Sequence, residues 1–129
     1  MTIREAITIT DNLKPNHYSD TDKINWLQAL DHRLFLEVIC THELLPGESF
    51  EAPDYPGAET PSSCELLVPD PYASEFYYHW LASKIDENNM EIGQYNQSIA
   101  LWNQDYEDWT GAWHRTHLPK GNMTRARCW

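Results

Sequence analysis

The sequence is poor in cysteine, glycine and basic residues, and it has no long apolar run. Its three cysteines are an odd number without a CxxC pair, which argues against a disulfide framework or a zinc knuckle and favours a reducing compartment. Five glycines and the absence of GxSxG, HExxH and phosphate-loop motifs argue against the common enzyme classes. No apolar stretch approaches the length of a secretion signal or a membrane span, so we expect a protein made in the cytoplasm with no membrane partner.

Positive charge is both scarce and unevenly placed. All 20 acidic residues and six of the nine lysines and arginines lie in 1–117, which therefore carries −14, whereas 118–129 carries +3. An acidic body repels phosphate, so nucleic-acid binding by a basic patch is disfavoured. Three interpretations of the charge remain: a surface past which DNA slides without sticking, a mimic of DNA that occupies another protein's DNA site, and simple solubility.

Aromatic residues are abundant, with six tryptophans and seven tyrosines in 129 residues. Each large ring buries about 150–250 Å², so few are needed to build one core, and the length suits a single domain. We predict an all-α fold, a small bundle of three to four helices of which the last is long. The domain spans 1–117 and includes a long proline-rich loop at 45–70, and 118–129 forms an extended basic tail.

The first two helices are predicted from apolar spacing and capping residues. Ile3, Ala6 and Ile7 share one helical face, which predicts a short helix from Thr2 to Leu13 that the following Lys14-Pro15 ends. Ser19 is a suitable N-cap, and apolar residues then recur at helical spacing, so a second helix is predicted over 20–42.

The segment 45–70 changes character, because together with Pro71 it holds six of the eight prolines. That many missing amides predict a long loop. Cys64–Val68 is the one stretch with the composition of a short extended segment. It is either a surface excursion or a strand exchanged with a neighbouring subunit.

The second half of the chain predicts one long helix or two. Asp70 as N-cap and Pro71 at the first helical position would open it. Apolar side chains then recur at 3-4-3-4 spacing, which indicates a helix that packs along its length, at Ile92, Tyr95, Ile99, Trp102, Tyr106, Trp109 and Trp113. We favour a break near Asn88-Asn89 within 71–114, since a hairpin buries more surface in so small a domain.

Trp102, Trp109 and Trp113 have two interpretations. They are core residues, or, in a bundle only two or three helices deep, part of the row is sealed by another subunit. We therefore take them as candidate interface residues.

No residue is predicted to be catalytic, to hold a cofactor or to bind a metal. His114 and His117 share a helical face, but a zinc or iron site needs further ligands that are not apparent. Acidic pairs such as Asp86-Glu87 and Glu107-Asp108 are expected on exposed helical faces opposite the apolar row.

Four motifs follow one another along the chain: LKPNHYSDTDKINWLQALD, LLVPDPYASEFYYHWL, GQYNQSIALWNQDYEDW and HRTHLPKG. Their order resembles a family of small head–tail connector (adaptor) proteins encoded by tailed phages and prophages of Gram-positive bacteria. The resemblance covers nearly the whole chain except 46–63 and the last eight residues.

The resemblance implies a structural protein of the virion neck, with no enzymatic role. Twelve copies would form a ring under the portal protein, extend the DNA channel and receive the next connector or tail-terminator protein, while DNA passes without specific binding. The C-terminal segment, with Lys120, Arg125, Arg127 and Trp129, would then reach onto the portal. The alternatives are an acidic inhibitor or DNA mimic directed at a host nucleic-acid-binding protein, an enzyme built on the histidine pair, and another neck or tail protein.

Overall fold

The computed structural model describes residues 1–50, 53, 55 and 63–118, and they form four α-helices. These are α1 (Ile3–Leu13), α2 (Asp20–Leu34), α3 (Ala73–Asn88) and α4 (Ile92–Thr116). No β-strand occurs within the described ranges, and α4 is the longest helix at 25 residues. The predicted all-α bundle with a long last helix is confirmed.

Capping residues set the start of α1 and α2. Thr2 accepts a hydrogen bond from the Glu5 amide at 3.2 Å, and the Glu5 carboxylate accepts one from the Thr2 amide at 3.0 Å, which makes a capping box. Ser19 caps α2 by accepting from the Asp22 amide at 3.2 Å, as the sequence predicts. Both caps satisfy amides that have no partner inside the helix.

The second helix ends earlier than predicted. After Leu34 the chain continues as one π-helical turn, Phe35–Ile39, and the Cys40 amide donates to the Phe35 carbonyl at 2.9 Å. Regular helix therefore does not reach His42. The wider turn changes the register of the side chains that follow it, because each π-turn inserts one extra residue.

The predicted start of α3 is wrong by two residues, because the helix begins at Ala73 and not at Pro71. The amides of Tyr72 and Ala73 both donate to the Pro69 carbonyl, so residues 69–72 form a turn before the helix. The Asp70–Pro71 peptide within this turn is cis. Asp70 does not act as the N-cap. Its carboxylate lies 3.6 Å from the amino terminus of Met1 instead.

The break between α3 and α4 is confirmed, and it is a Schellman motif. The Met90 amide donates to the Glu87 carbonyl at 3.1 Å, and the Glu91 amide donates to the Asp86 carbonyl at 2.9 Å. Met90 adopts a left-handed conformation with φ of 61°, at the position where such motifs usually have glycine. The chain then reverses, and α4 runs back antiparallel along α3.

The central helix of the bundle is α3, which packs against α1, α2 and α4. By contrast α4 makes its extensive contacts with α3 alone, so it is an outer helix. The core is built from aliphatic side chains of α1 and α2 and from aromatic side chains of α3 and α4. Its fully buried large side chains include Ile3, Ile7, Leu27, Leu30, Leu34, Phe76, Tyr77, Leu81 and Ile85.

The described end of the proline-rich loop packs against the chain's own N-terminus. The Ile3 amide donates to the Cys64 carbonyl at 3.0 Å, and the Leu66 amide donates to the Met1 carbonyl at 2.9 Å. Leu66 and Val68 are buried. The extended segment predicted at Cys64–Val68 is thus present within this chain, as an isolated bridge between Thr2 and Glu65.

Candidate functional site

The tryptophan row of α4 lies inside the molecule. Trp102, Trp109 and Trp113 are 5%, 2% and 8% exposed. The Phe76 ring of α3 packs against the first two, with ring centroids 5.6 and 6.0 Å apart. These rings therefore join α4 to α3, and any contact between α4 and a partner has to use other faces of the helix.

The outward face of α4 is polar and has no cation over most of its length. It comprises the exposed residues Gln94, Asn96, Gln97, Ala100, Leu101, Asn103, Gln104, Glu107 and Asp108. No lysine or arginine occurs between Ile92 and His114. The helix spans about 37 Å at 1.5 Å per residue, and this face covers about 21 Å of it, from Gln94 to Asp108.

The C-terminal end of α4 is fixed by histidines. His117 places Nε2 2.7 Å from the Glu48 carboxylate and Nδ1 3.1 Å from the Trp113 carbonyl, so both ring nitrogens lie within hydrogen-bond distance of polar groups. Its ring stacks on Trp113 with centroids 3.5 Å apart. The first part of the loop is thereby attached to the end of α4. Just before the loop, the Glu43 amide donates to the Leu118 carbonyl at 2.7 Å.

His114 and His117 do not converge on a common point. His114 stacks on His42 instead, with centroids 4.6 Å apart, and burial followed by the charge of His42 lowers the pKa of His114. His42 is buried and its Nδ1 lies 2.8 Å from the Val38 carbonyl. Across the residues with described positions, no group of three His, Cys, Asp or Glu side chains is arranged to hold a metal ion.

A buried carboxylate, Asp31, organises the loop and was not predicted to be a special residue. It is 0% exposed and accepts hydrogen bonds from Tyr77 (2.6 Å), Tyr55 (2.8 Å) and the Leu67 amide (2.9 Å). Burial raises the pKa of Asp31, and the three donors oppose that rise. The sequence contained one indication of this role: Asp31 shares a helical face with Leu27 and Leu34, so a charged residue lies on the apolar face of α2.

Asp86 corrects a second expectation, because it is fully buried and not on an exposed face. Its Oδ1 lies 2.8 Å from Lys14 Nζ in an ion pair, and Ser98 donates to its Oδ2 at 2.9 Å. The pair joins the end of α1 to α3, and Ser98 adds α4. Lys14 also donates to Gln94 at 3.3 Å.

A groove of about 370 Å³ opens beside this ion pair, between α3, α4 and the end of α1. His79, on its wall, pairs with Asp105 of α4. Burial raises the pKa of Asp105, and the contact with His79 opposes the rise. The two basic side chains that line the groove, Lys14 and His79, are thus each paired with a carboxylate. The surface around them is formed largely by uncharged groups such as Gln94 and Gln97.

The tip of the molecule, defined as Met90, Glu91, Ile92 and Tyr95 at the α3–α4 turn, exposes apolar side chains. Met90 is 84% exposed and Ile92 72% exposed. All four residues line a small cavity of about 90 Å³. The tip lies at the opposite end of α4 from His117.

The remaining sequence-predicted site residues are Lys120, Arg125, Arg127 and Trp129. All four lie outside the described residues. None of the described helices has the length and apolar character needed to cross a membrane.

Comparison with known proteins found no family model, no curated protein and no solved structure that matches this chain.

Proposed function

We propose that this chain is a subunit of a phage head–tail connector, a ring of copies that lies under the portal protein in the virion neck and continues its DNA channel. In this role it has no catalytic task. The ring would bind the portal on one side and receive a further connector or tail-terminator protein on the other. The proposal agrees with the family resemblance of the sequence motifs.

The observation that carries the proposal is the outward face of α4. It presents amides and two carboxylates over about 21 Å, from Gln94 to Asp108, and has no lysine or arginine between Ile92 and His114. Duplex DNA carries one negative charge per roughly 1.7 Å of axis, and each lysine or arginine that contacts a phosphate adds attraction. A channel wall made from this face would repel DNA weakly and would offer no lysine or arginine to bind its phosphates.

The burial of the tryptophan row supports the same arrangement. Because Trp102 and Trp109 pack on α3, α4 is attached firmly to the bundle and its other side stays free. A helix that is anchored by one aromatic face and polar on the other is suited to a wall that must keep its shape while DNA moves past it.

The first test is assembly with the portal. Light scattering should show a large complex when the protein is mixed with the portal protein of its phage, and electron microscopy should show a ring stacked on the portal. A protein that stays monomeric and ignores the portal would remove the connector proposal. The net charge of −14 on 1–117 would then favour the acidic-inhibitor alternative.

The second test addresses the channel wall. Gln97→Lys with Gln104→Lys places two cations on the outward face of α4, where both side chains are exposed. We expect rings to assemble normally but DNA release from the virion to slow. Asn25→Lys on the exposed side of α2 is the matched control and should change neither property. Unchanged DNA release in the α4 variant would place this face away from the channel.

A further inference from the structure

We propose that the basic segment 119–129 of one copy binds the tip of a second copy, so that copies join head to tail. The inference rests on the proposed ring and adds the contact that would hold its subunits together. Two features of the tip point to it: its exposed apolar side chains and its charge.

The tip exposes apolar surface that the fold does not require. Met90 and Ile92 are 84% and 72% exposed, and they line a cavity with Tyr95. Met90 also holds a left-handed backbone conformation, which costs about 1–2 kcal/mol for a residue with a side chain. Glycine would avoid that cost, so the turn carries an exposed apolar side chain at a position where the backbone disfavours any side chain.

The charge of the tip is complementary to 119–129. Glu91 belongs to the tip, and Glu87 and Asp86 lie beside it in the cavity wall. Lys84 lies 3.9 Å from Glu87 and Lys14 2.8 Å from Asp86, so Glu91 is the acidic residue of the tip to which no ion pair is assigned within the described residues. The segment 119–129 contains Lys120, Arg125 and Arg127 and no acidic residue, together with the apolar Met123 and Trp129. An apolar surface with an acidic edge would thus meet a basic segment with apolar side chains.

Chain length favours a second copy over the same copy. The described chain ends at Leu118, beside Glu43, at the far end of α4 from the tip. That distance is about 37 Å, and eleven residues span at most about 36–40 Å when fully extended. Binding within one copy would therefore stretch the whole segment and lose its conformational freedom, whereas a neighbour can bring its tip close to Leu118.

The contact would be heterologous, because two different surfaces of the same chain meet. Such contacts close into a ring when the rotation between copies permits, and otherwise continue as a filament. Self-association by this route therefore needs no twofold symmetry, in agreement with a cyclic connector.

Disulfide trapping tests the contact in the full-length chain. Cys40→Ser and Cys64→Ser leave Cys128 as the only thiol, and Met90→Cys then adds one at the tip. With diamide as oxidant, two thiols form a disulfide and diamide is reduced to the hydrazine. We expect covalent dimers and longer ladders on a non-reducing gel, with peptide mapping that places the bridge between position 90 and Cys128.

Leu36→Cys in the same background is the matched control. Leu36 is 54% exposed and lies in the π-turn near Glu43, at the end of the molecule where 119–129 begins, so random collisions favour it over the tip. Equal cross-linking from both positions would overturn the proposal. If position 90 and Cys128 form a disulfide but the gel shows only monomers, the segment 119–129 binds the tip of its own copy, and this result also overturns the proposal.

Charge exchange gives a second, independent readout. Arg125→Glu with Arg127→Glu should raise the dissociation constant of self-association by about tenfold, which is the effect of two exposed ion pairs. Adding Glu91→Arg should restore part of the loss, and no restoration would count against the tip. If 119–129 cross-links to the portal and not to position 90, this contact is wrong while the connector function stands.

Discussion

At the scale of single residues, one buried carboxylate explains how a loop rich in proline is held. Asp31 receives three hydrogen bonds, two of them from residues of the loop, Tyr55 and Leu67. Gln28 adds two more, because it accepts from the Tyr55 amide at 2.6 Å and donates to the Pro53 carbonyl at 3.1 Å. Two polar side chains of α2 thus fix a segment that cannot form regular hydrogen bonds of its own.

Tyr77→Phe tests this network. The Tyr77 hydroxyl donates to Asp31 Oδ1 and accepts from the Val68 amide at 2.9 Å, so its removal leaves this one carboxylate oxygen and a buried amide each without a partner. We expect the free energy of unfolding to fall by about 3 kcal/mol, measured by urea denaturation. Tyr18→Phe, which removes an exposed hydroxyl bonded to Asn89, should cost less than about 1 kcal/mol. Similar losses in the two variants would contradict the role of Asp31.

The stack of His114 on His42 predicts that the free energy of unfolding depends on pH. Because the pKa of His114 is lowered in the folded chain, the unfolded chain binds more protons between that value and about 6.5. The contribution of His114 to stability is therefore lost as the pH falls through this window. In His114→Gln, the free energy of unfolding should decrease less than in the wild type between pH 7.5 and pH 5.0.

His32→Gln, at an exposed histidine, serves as the control and should follow the wild type. The raised pKa values of Asp31 and Asp105 have the opposite effect, because their contribution to the free energy of unfolding decreases as the pH rises. Both carboxyls are present in every variant, so their contribution cancels in the comparison. A wild-type pH profile in His114→Gln would show that the stack has no such effect.

At the scale of secondary structure, the hairpin of α3 and α4 is stabilised by aromatic contacts between the helices and strained at the turn that joins them. The aromatic contacts of Phe76 with Trp102 and Trp109 join the two helices, whereas the turn between them contains a strained methionine. The local sequence at the turn is Asn-Asn-Met, without the glycine that usually ends such a helix.

Met90→Gly should stabilise the chain. Glycine relieves the left-handed strain of about 1–2 kcal/mol and returns part of that gain through the greater freedom of the unfolded chain. We expect a net increase of about 0.5–1 kcal/mol in the free energy of unfolding by urea titration. Ala100→Gly, at an exposed position inside α4, should instead lose about 1 kcal/mol. A loss at both positions would mean that the Met90 side chain stabilises the turn.

At the scale of the whole molecule, charge and shape act together. The acidic body repels its own copies, and the proposed contact between 119–129 and the tip opposes that repulsion locally. Exposed charges interact over a Debye length, which falls from about 10 Å at 0.1 M salt to about 3 Å at 1 M.

Salt therefore separates the two effects. Added salt weakens the repulsion between the acidic 1–117 parts of two copies in every variant. It weakens the attraction between the tip and 119–129 only in chains that have Arg125 and Arg127. We expect the dissociation constant of Arg125→Glu/Arg127→Glu, divided by that of the wild type, to approach one as salt rises, as measured by analytical ultracentrifugation. A ratio that does not change with salt would exclude an electrostatic contact.

The sequence by itself determined the features that depend on near neighbours along the chain. Helical spacing and the Ser19 cap located α1 and α2, and the interrupted pattern at Asn88-Asn89 located the break, because caps and periodicity act within one or two turns. The absence of cations along α4 could also be read directly, since it needs only the order of residues.

Only the tertiary structure decided what covers each face. Asp31 and Asp86 became buried because Tyr77 and Lys14, 46 and 72 residues away in the chain, supply their donors. The tryptophans of α4 turned inward because Phe76 meets them, and Met90 took a glycine-like conformation because the hairpin must close there. Periodicity identifies an apolar face, but the partner of that face comes from distant segments, so burial and pairing follow from the packed fold.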